Sequence, residues 1–203
     1  GKVANGDTGL VACDHYHRYL EDIRLMADMG VKAYRFSISW SRIFADGTNK
    51  TVNPEGIAFY NNLINACLEN DIQPWVTLYH WDLPQYLEEE FQGWLGDEIS
   101  GLFVDYAEVC FNAFGDRVKH WITINEAWVV SVLGYGQGVF APGHVSNVEP
   151  YVAAHNLLLA HAKAVNVYRA QYQQQQGGVI GITNNCDWRE PLTDKPEDKA
   201  AAQ

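Results

Sequence analysis

Basic residues are scarce in this chain: 14 Lys and Arg stand against 25 Asp and Glu, for a formal net charge of -11. That balance repels phosphate backbones, and the cations form no run, so nucleic acid is excluded as a partner and a neutral or cationic ligand fits better. Long hydrophobic runs are missing too. No apolar stretch approaches the roughly 20 residues that a membrane span needs, and the chain does not open with a basic, then apolar, signal-like segment, so it reads as soluble and free of membrane. Cysteine is sparse: Cys13, Cys67, Cys110 and Cys186 lie far apart with no CxxC pair, so no zinc site, redox couple or other cofactor is expected. They read as buried apolar thiols, and being unpaired they lean toward a cytoplasmic setting, with secretion left open. The sequon Asn49-Lys50-Thr51 matters only in the secreted case. A phosphate cradle is also lacking. Gly134, Gly136, Gly138 and Gly143 alternate with Tyr135, Phe140 and Pro142 in neither a GxGxxG nor a Lys-Ser/Thr pattern, and read as a flexible aromatic loop.

What is present suffices for one domain. At 203 residues, 47% hydrophobic and 13% aromatic, the chain can fill a sizeable core. Gly1 to Thr8 is a polar loop. From about Asp14 the residues Tyr16, Leu20, Ile23 and Ala27 recur at helical spacing, and Gly30 stands where a left-handed cap is wanted. Val31 to Trp40 then alternates as a strand, with Tyr34, Phe36, Ile38 and Trp40 on one face and Arg35, Ser37 and Ser39 on the other. Arg35 there means either a hydrated or anion-lined interior or an ion pair at the strand's end.

Asn53-Pro54-Glu55 supplies an N-cap, a first-turn proline and a first-turn acid, opening a helix that carries Ile57, Tyr60, Leu63, Ile64 and Cys67 inward. A second strand, Gln73 to Tyr79, runs into His80-Trp81-Asp82-Leu83-Pro84, where the proline forbids further pairing. Taken singly, His80 suits a structural histidine as well as a catalytic one, and Trp81 a core residue as well as a ligand platform. Past an aromatic loop around Phe91 and Trp94, Asp97-Glu98 opens a helix with Ile99, Phe103, Tyr106 and Cys110 inward. Glu149-Pro150 begins another, ending in glutamines read as a solvated last turn. Val179 to Thr183 is a further strand, followed by Asn184 to Trp188, and the residues beyond trail off without a cap or a strand.

The most informative stretch is His120-Trp121-Ile122-Thr123-Ile124-Asn125-Glu126-Ala127-Trp128, a buried strand ending abruptly in an amide and a carboxylate. A strand interior rejects a carboxylate, so Glu126 sits where the strand opens into a cavity, or is protonated, or is paired. Each condition suits a general acid. On spacing alone, Glu126 equally suits the start of the next helix, where an acid meets the positive end of the dipole.

Strands and helices thus alternate with polar residues collected after each strand, which is α/β architecture with a site at the carboxyl ends of parallel strands. No first turn is glycine-rich in the nucleotide-binding manner, which favours part of a (β/α)8 barrel over a doubly wound sheet. Four strands cannot close a barrel, so the expectation is a fold incomplete at both ends.

Three stretches then carry a resemblance: Arg35-Phe36-Ser37-Ile38-Ser39-Trp40-Ser41-Arg42-Ile43, Thr77-Leu78-Tyr79-His80-Trp81-Asp82-Leu83-Pro84 and Thr123-Ile124-Asn125-Glu126. In this order they resemble the family-one glycoside hydrolases, the β-glucosidase family, from about Gly1 to Pro191. The resemblance implies a retaining glycosidase on a (β/α)8 barrel, acting on a β-glucoside or oligosaccharide, with the four strands as its second to fifth and residues 1–203 as the amino-proximal half of one catalytic domain. It implies Glu126 as acid/base, His80, Trp81 and Asn125 as glycone-binding residues, and Arg35 as the partner of a nucleophilic Glu that would lie past Gln203. A sugar-binding first strand would precede Gly1. The missing barrel half would be supplied in cis or by a partner chain, and the isolated chain would be inactive. Ala127 departs from the family, which usually has proline there. A non-catalytic sugar-binding fragment and a phospho-β-glycosidase of the same family are the alternatives.

Overall fold

The computed structural model describes residues 3–202. Part of the expected amino-terminal loop, residues 1 and 2, lies outside them. Helix α1 (His15–Asp28) leads to strand β1 (Ala33–Ser37), and a short turn α2 (Trp40–Ile43) and helix α3 (Pro54–Glu69) lead to β2 (Gln73–Tyr79). Helices α4 (Gln85–Phe91) and α5 (Ile99–Phe114) precede β3 (His120–Asn125). Helix α6 (Glu149–Val167) continues through a π-helical turn, Tyr168–Tyr172, into α7 (Gln173–Gln176), and β4 (Val179–Thr183) and α8 (Pro196–Ala202) follow. Among the described residues no helix is long and apolar enough to cross a membrane.

All strand pairs are parallel, in the order β1-β2-β3-β4. That order separates the two candidate architectures. A doubly wound sheet reverses its strand order at a switch point, whereas a barrel adds strands consecutively in one direction. The sheet is an open arc of a barrel, with β1 and β4 as its outer strands.

The core lies between this arc and the helices. Phe103, Tyr106, Cys110 and Phe111 of α5, Leu63, Ile64 and Cys67 of α3 and Leu157, Ala160 and Ala164 of α6 pack toward Val76, Leu78, Trp121 and Ile124 of the sheet. The caps act as their chemistry requires. Asn53 accepts a hydrogen bond from the Glu55 amide at 3.1 Å with Pro54 in the first turn, and Gly30 takes φ 78° after α1. Asn53→Ala removes that acceptor and is expected to lower stability by about 0.5–2 kcal/mol, read from a urea denaturation midpoint.

Several local expectations give way to tertiary context. Strand β1 stops at Ser37. Trp40 begins a helical turn and is buried there, its indole donating to the Gly47 carbonyl at 3.0 Å and stacking on Tyr106. The aromatic stretch around Phe91 and Trp94 is not a loop but α4 and a 3-10 turn, Gly93–Leu95. The glutamines are not merely solvated: Gln176 donates to the Phe111 carbonyl and Gln173 to that of Gly178, tying the helix end to α5 and β4. The carboxyl-terminal residues form α8, and just before it the Thr193 hydroxyl donates to Asp198 and accepts from the Lys195 amide. Cys67 and Cys110 are buried, but Cys13 and Cys186 are exposed. On α1 only Ile23 is fully buried; Tyr16 stacks on Phe59 of α3 and Leu20 stays open.

Candidate active site

The polar residues singled out in the sequence meet at the carboxyl ends of β1, β2 and β3. Register explains part of this: Ser37 pairs with Thr77 and Tyr79 with Ile124, which places His80 level with Asn125. Side-chain direction explains the rest. Trp121 packs on Phe111 of α5, and Thr123 bonds His161 of α6, so both face the helices. Strict alternation would send Asn125 the same way. A register shift between Ile122 and Asn125 breaks the alternation, and Asn125 turns to the opposite face.

There Arg35 donates from Nη2 to Asn125 Oδ1 at 2.5 Å and from Nε to Thr77 Oγ1 at 3.0 Å. Among the described residues both partners of Arg35 are neutral, so the expected alternative of a strand-end ion pair does not apply. The contact also orients the amide: with Oδ1 held by the guanidinium, Nδ2 is its donating end, unpaired among the described residues. The indole Nε1 of Trp81 donates to the Asn125 carbonyl oxygen at 3.0 Å. Asn125 thereby bonds a lining residue of each of two hollows. One, of about 450 Å³, is lined by Arg35, Ser37, Thr77 and His80, with Tyr34 and Arg42. The other, of about 520 Å³, is lined by Tyr79, Trp81, Val130, Phe140 and Pro142.

Glu126 follows at once and is half-buried. Its amide donates to the Thr183 carbonyl at 2.7 Å, closing β3 onto β4, and its own carbonyl accepts from Val129 and Val130. It therefore ends a strand and starts a helical segment, which passes into a π-helical turn, Val129–Gly134. The backbone thus realises the helix-start reading of its position. Glu126 has φ 51° and Trp81 φ 80°, two non-glycine residues in left-handed backbone at adjacent strand ends. Such conformations cost on the order of 1–3 kcal/mol and gather at functional sites.

His80 feels the whole cluster. Desolvation and the positive charge of Arg35 lower its pKa, against the opposing pull of Asp82 and Glu126, so the imidazole is neutral at neutral pH. A neutral imidazole both donates and accepts, as a hydroxyl-rich ligand requires. Desolvation raises the Asp82 carboxyl, opposed by hydrogen bonds from the Ser39 side chain and the His80 backbone. Asp82 is legible in the sequence as the residue that follows His80-Trp81 at the end of β2. Thr77 and Phe140 were missed. Thr77 reads as one more β-branched strand residue, and Phe140, whose ring lies 5.6 Å from that of Trp81, is far away in the chain. Among the described residues no group of three or more His, Cys, Asp or Glu is placed to hold a metal ion.

The model of the family described as "Glycosyl hydrolase family 1" matches residues 1–203. The chain belongs to glycosyl hydrolase family 1. This family-1 chain is 56% identical over 204 residues to "Beta-glucosidase 42" of Arabidopsis thaliana, covering 100% of itself and 42% of that protein. It is 51% identical to the "Coniferin beta-glucosidase" of Pinus contorta, covering 99% of itself and 42% of the relative. Among solved structures, the rice Os3BGlu6 beta-glucosidase superposes with a TM-score of 0.94 at 50% identity, over 100% of this chain and 45% of that one. The family 1 beta-glucosidase from Thermotoga maritima gives 0.91 at 51% identity, again over 100% and 45%. The family-1 chain thus spans less than half the length of these relatives.

Proposed function

We propose that residues 1–203 are the acid/base-bearing part of the single catalytic domain of a retaining β-glucosidase. The observation that carries this reading is the placement of Glu126: a half-buried carboxyl held in left-handed backbone at a strand end, beside the Asn125 amide. The position of His80 level with Asn125 at the end of β2 supports counting the imidazole in the same cluster.

In the first step the Glu126 carboxyl gives its proton to the glycosidic oxygen as the bond from that oxygen to the anomeric carbon breaks. A second carboxylate, about 5 to 5.5 Å away, attacks the anomeric carbon and forms a glycosyl ester. In the second step the Glu126 carboxylate takes a proton from water, whose oxygen attacks the same carbon and releases the nucleophile. Arg35 is the group that supports the nucleophile, since a guanidinium fork matches a carboxylate and its partners here are neutral. Asn125 Nδ2 and the His80 imidazole bind sugar hydroxyls, and Trp81 offers an indole face against the ring.

Two carboxyl groups are required and this cluster provides the acid. Residues 1–203 alone are therefore expected to hydrolyse an aryl β-glucoside at background rate. A chimaera in which they replace the matching segment of the rice enzyme is expected to turn it over. Robust turnover by the isolated chain, abolished by Glu126→Gln, would refute the division of roles. A folded but inert chimaera would refute the enzyme reading and leave a sugar-binding segment.

A further inference from the structure

The loop after the helical segment is not loose. Gln137 and Val145 form an antiparallel bridge, Phe140 N bonds the Leu133 carbonyl, His144 N that of Gly134 and Ser146 N that of Gly136. Its tip carries Phe140 against Trp81. At its far end His144 stands between two carboxylates: Nδ1 is 2.8 Å from Glu149 Oε2 at the start of α6, and Nε2 is 3.8 Å from Glu88 Oε1 on α4. Glu88 is fixed in turn, because Tyr135 donates to its Oε2 at 3.0 Å and accepts from the Trp94 amide, also at 3.0 Å. The Tyr135 ring meets the imidazole edge-on at 5.3 Å. Gly93, at φ 52°, leaves room for Glu88 and the Tyr135 hydroxyl where any Cβ would collide with both. The titratable groups facing His144 among the described residues are therefore Glu88, Glu149 and Tyr135, one from each element packed on it.

We propose that His144 is a positioning residue that latches the 137–146 loop to α4 and α6, holding Phe140 against Trp81 and so setting how tightly the hollow beside Trp81 grips a ligand. The ligand part of this proposal rests on the glycosidase reading; the latch itself does not. The Nδ1 arm is a hydrogen bond at 2.8 Å and the Nε2 arm a longer contact at 3.8 Å, so removing the imidazole frees the loop from both elements at once. The pair with Glu149 is partly exposed, which limits the size of the effect.

The test is amide hydrogen exchange on the 203-residue chain without ligand, at one pH, with and without His144→Ala. Protection at Phe140 and Ser146 is expected to fall by about threefold to tenfold in the variant relative to amides of β2 and α5. Glu149→Ala, which removes the 2.8 Å partner and leaves the imidazole, should lower it in the same direction, and His144→Gln, which keeps a donor, should restore part of it. Loop protection unchanged in His144→Ala would overturn the latch. In the rice chimaera, KM for an aryl β-glucoside should rise by about threefold to tenfold in His144→Ala with kcat little changed, and His144→Gln should recover part of the KM. Equal KM values would overturn the link to the ligand while leaving the exchange result to judge the latch.

Discussion

Glu126→Gln in the rice chimaera is expected to lower kcat by about 10²- to 10⁴-fold for a glucoside whose leaving alcohol is a poor one, with KM changed little. The amide is nearly isosteric with the carboxylic acid, so Asn125, His80 and Trp81 keep their places and the sugar still binds. What is lost is the proton that the departing oxygen needs as its bond to the anomeric carbon lengthens. A nitrophenolate leaves without protonation, so with a dinitrophenyl glucoside the first step should be nearly spared. The second step then limits turnover, because an amide at this position cannot take the proton from water that the Glu126 carboxylate takes. The measurement is therefore a pair of kcat values and a pre-steady-state burst: a large steady-state loss with both substrates, and a burst of dinitrophenol with the activated one alone. Equal loss of the first step for both leaving groups would show that Glu126 does not protonate the glycosidic oxygen. Unchanged kcat would remove it from the reaction altogether.

The second large effect concerns what holds the strand ends in place. Tyr106 of α5 is fully buried, and its hydroxyl lies 2.8 Å from the Leu78 carbonyl and 3.1 Å from that of Ile38, just before His80 on one strand and just after β1 on the other. Its ring stacks on Trp40 at 4.9 Å with planes 7° apart. Burial pushes the phenol well above its ordinary range, so it stays a donor at any pH the protein meets. Tyr106→Phe keeps the ring and strips both carbonyls of their shared donor, at an expected cost of about 1–3 kcal/mol. Tyr106→Ala also empties the space beside Trp40, and the expected loss is about 3–5 kcal/mol. Urea midpoints at unchanged slope measure both on the 203-residue chain. A neutral Tyr106→Phe would mean that the two carbonyls find other partners and that the hydroxyl is not what ties β1 to β2.

Much of the scaffold was legible because its causes are local. Asn53-Pro54-Glu55 sits at a helix start because an amide that accepts from a first-turn N–H, a fixed φ and an acid at the dipole's positive end act within a few residues. Gln73–Tyr79 was bounded correctly because Pro84 and the apolar run mark it from both sides. The same local grammar stands in Pro196-Glu197-Asp198, a first-turn proline followed by two first-turn acids, which open α8. Trp40 departs from the strand pattern for a different reason: alternation marks which side chains are buried, but a helical turn buries Trp40 as well as a strand would.

By itself the sequence determined the family, the succession of strands and helices, and which residues gather at the strand ends, since hydrophobic period, caps and contiguous motifs are properties of neighbours along the chain. Only the tertiary structure decided how those residues face one another. Arg35 and Asn125 are 90 positions apart, and their bond exists because a register shift in β3 turns the amide away from the helices. The left-handed backbone at Trp81 and Glu126, the meeting of Phe140 with Trp81 and the seat of His144 between Glu88 and Glu149 likewise depend on parallel pairing and on packing across separate elements. Their physical cause is contact between distant segments, which no local pattern encodes.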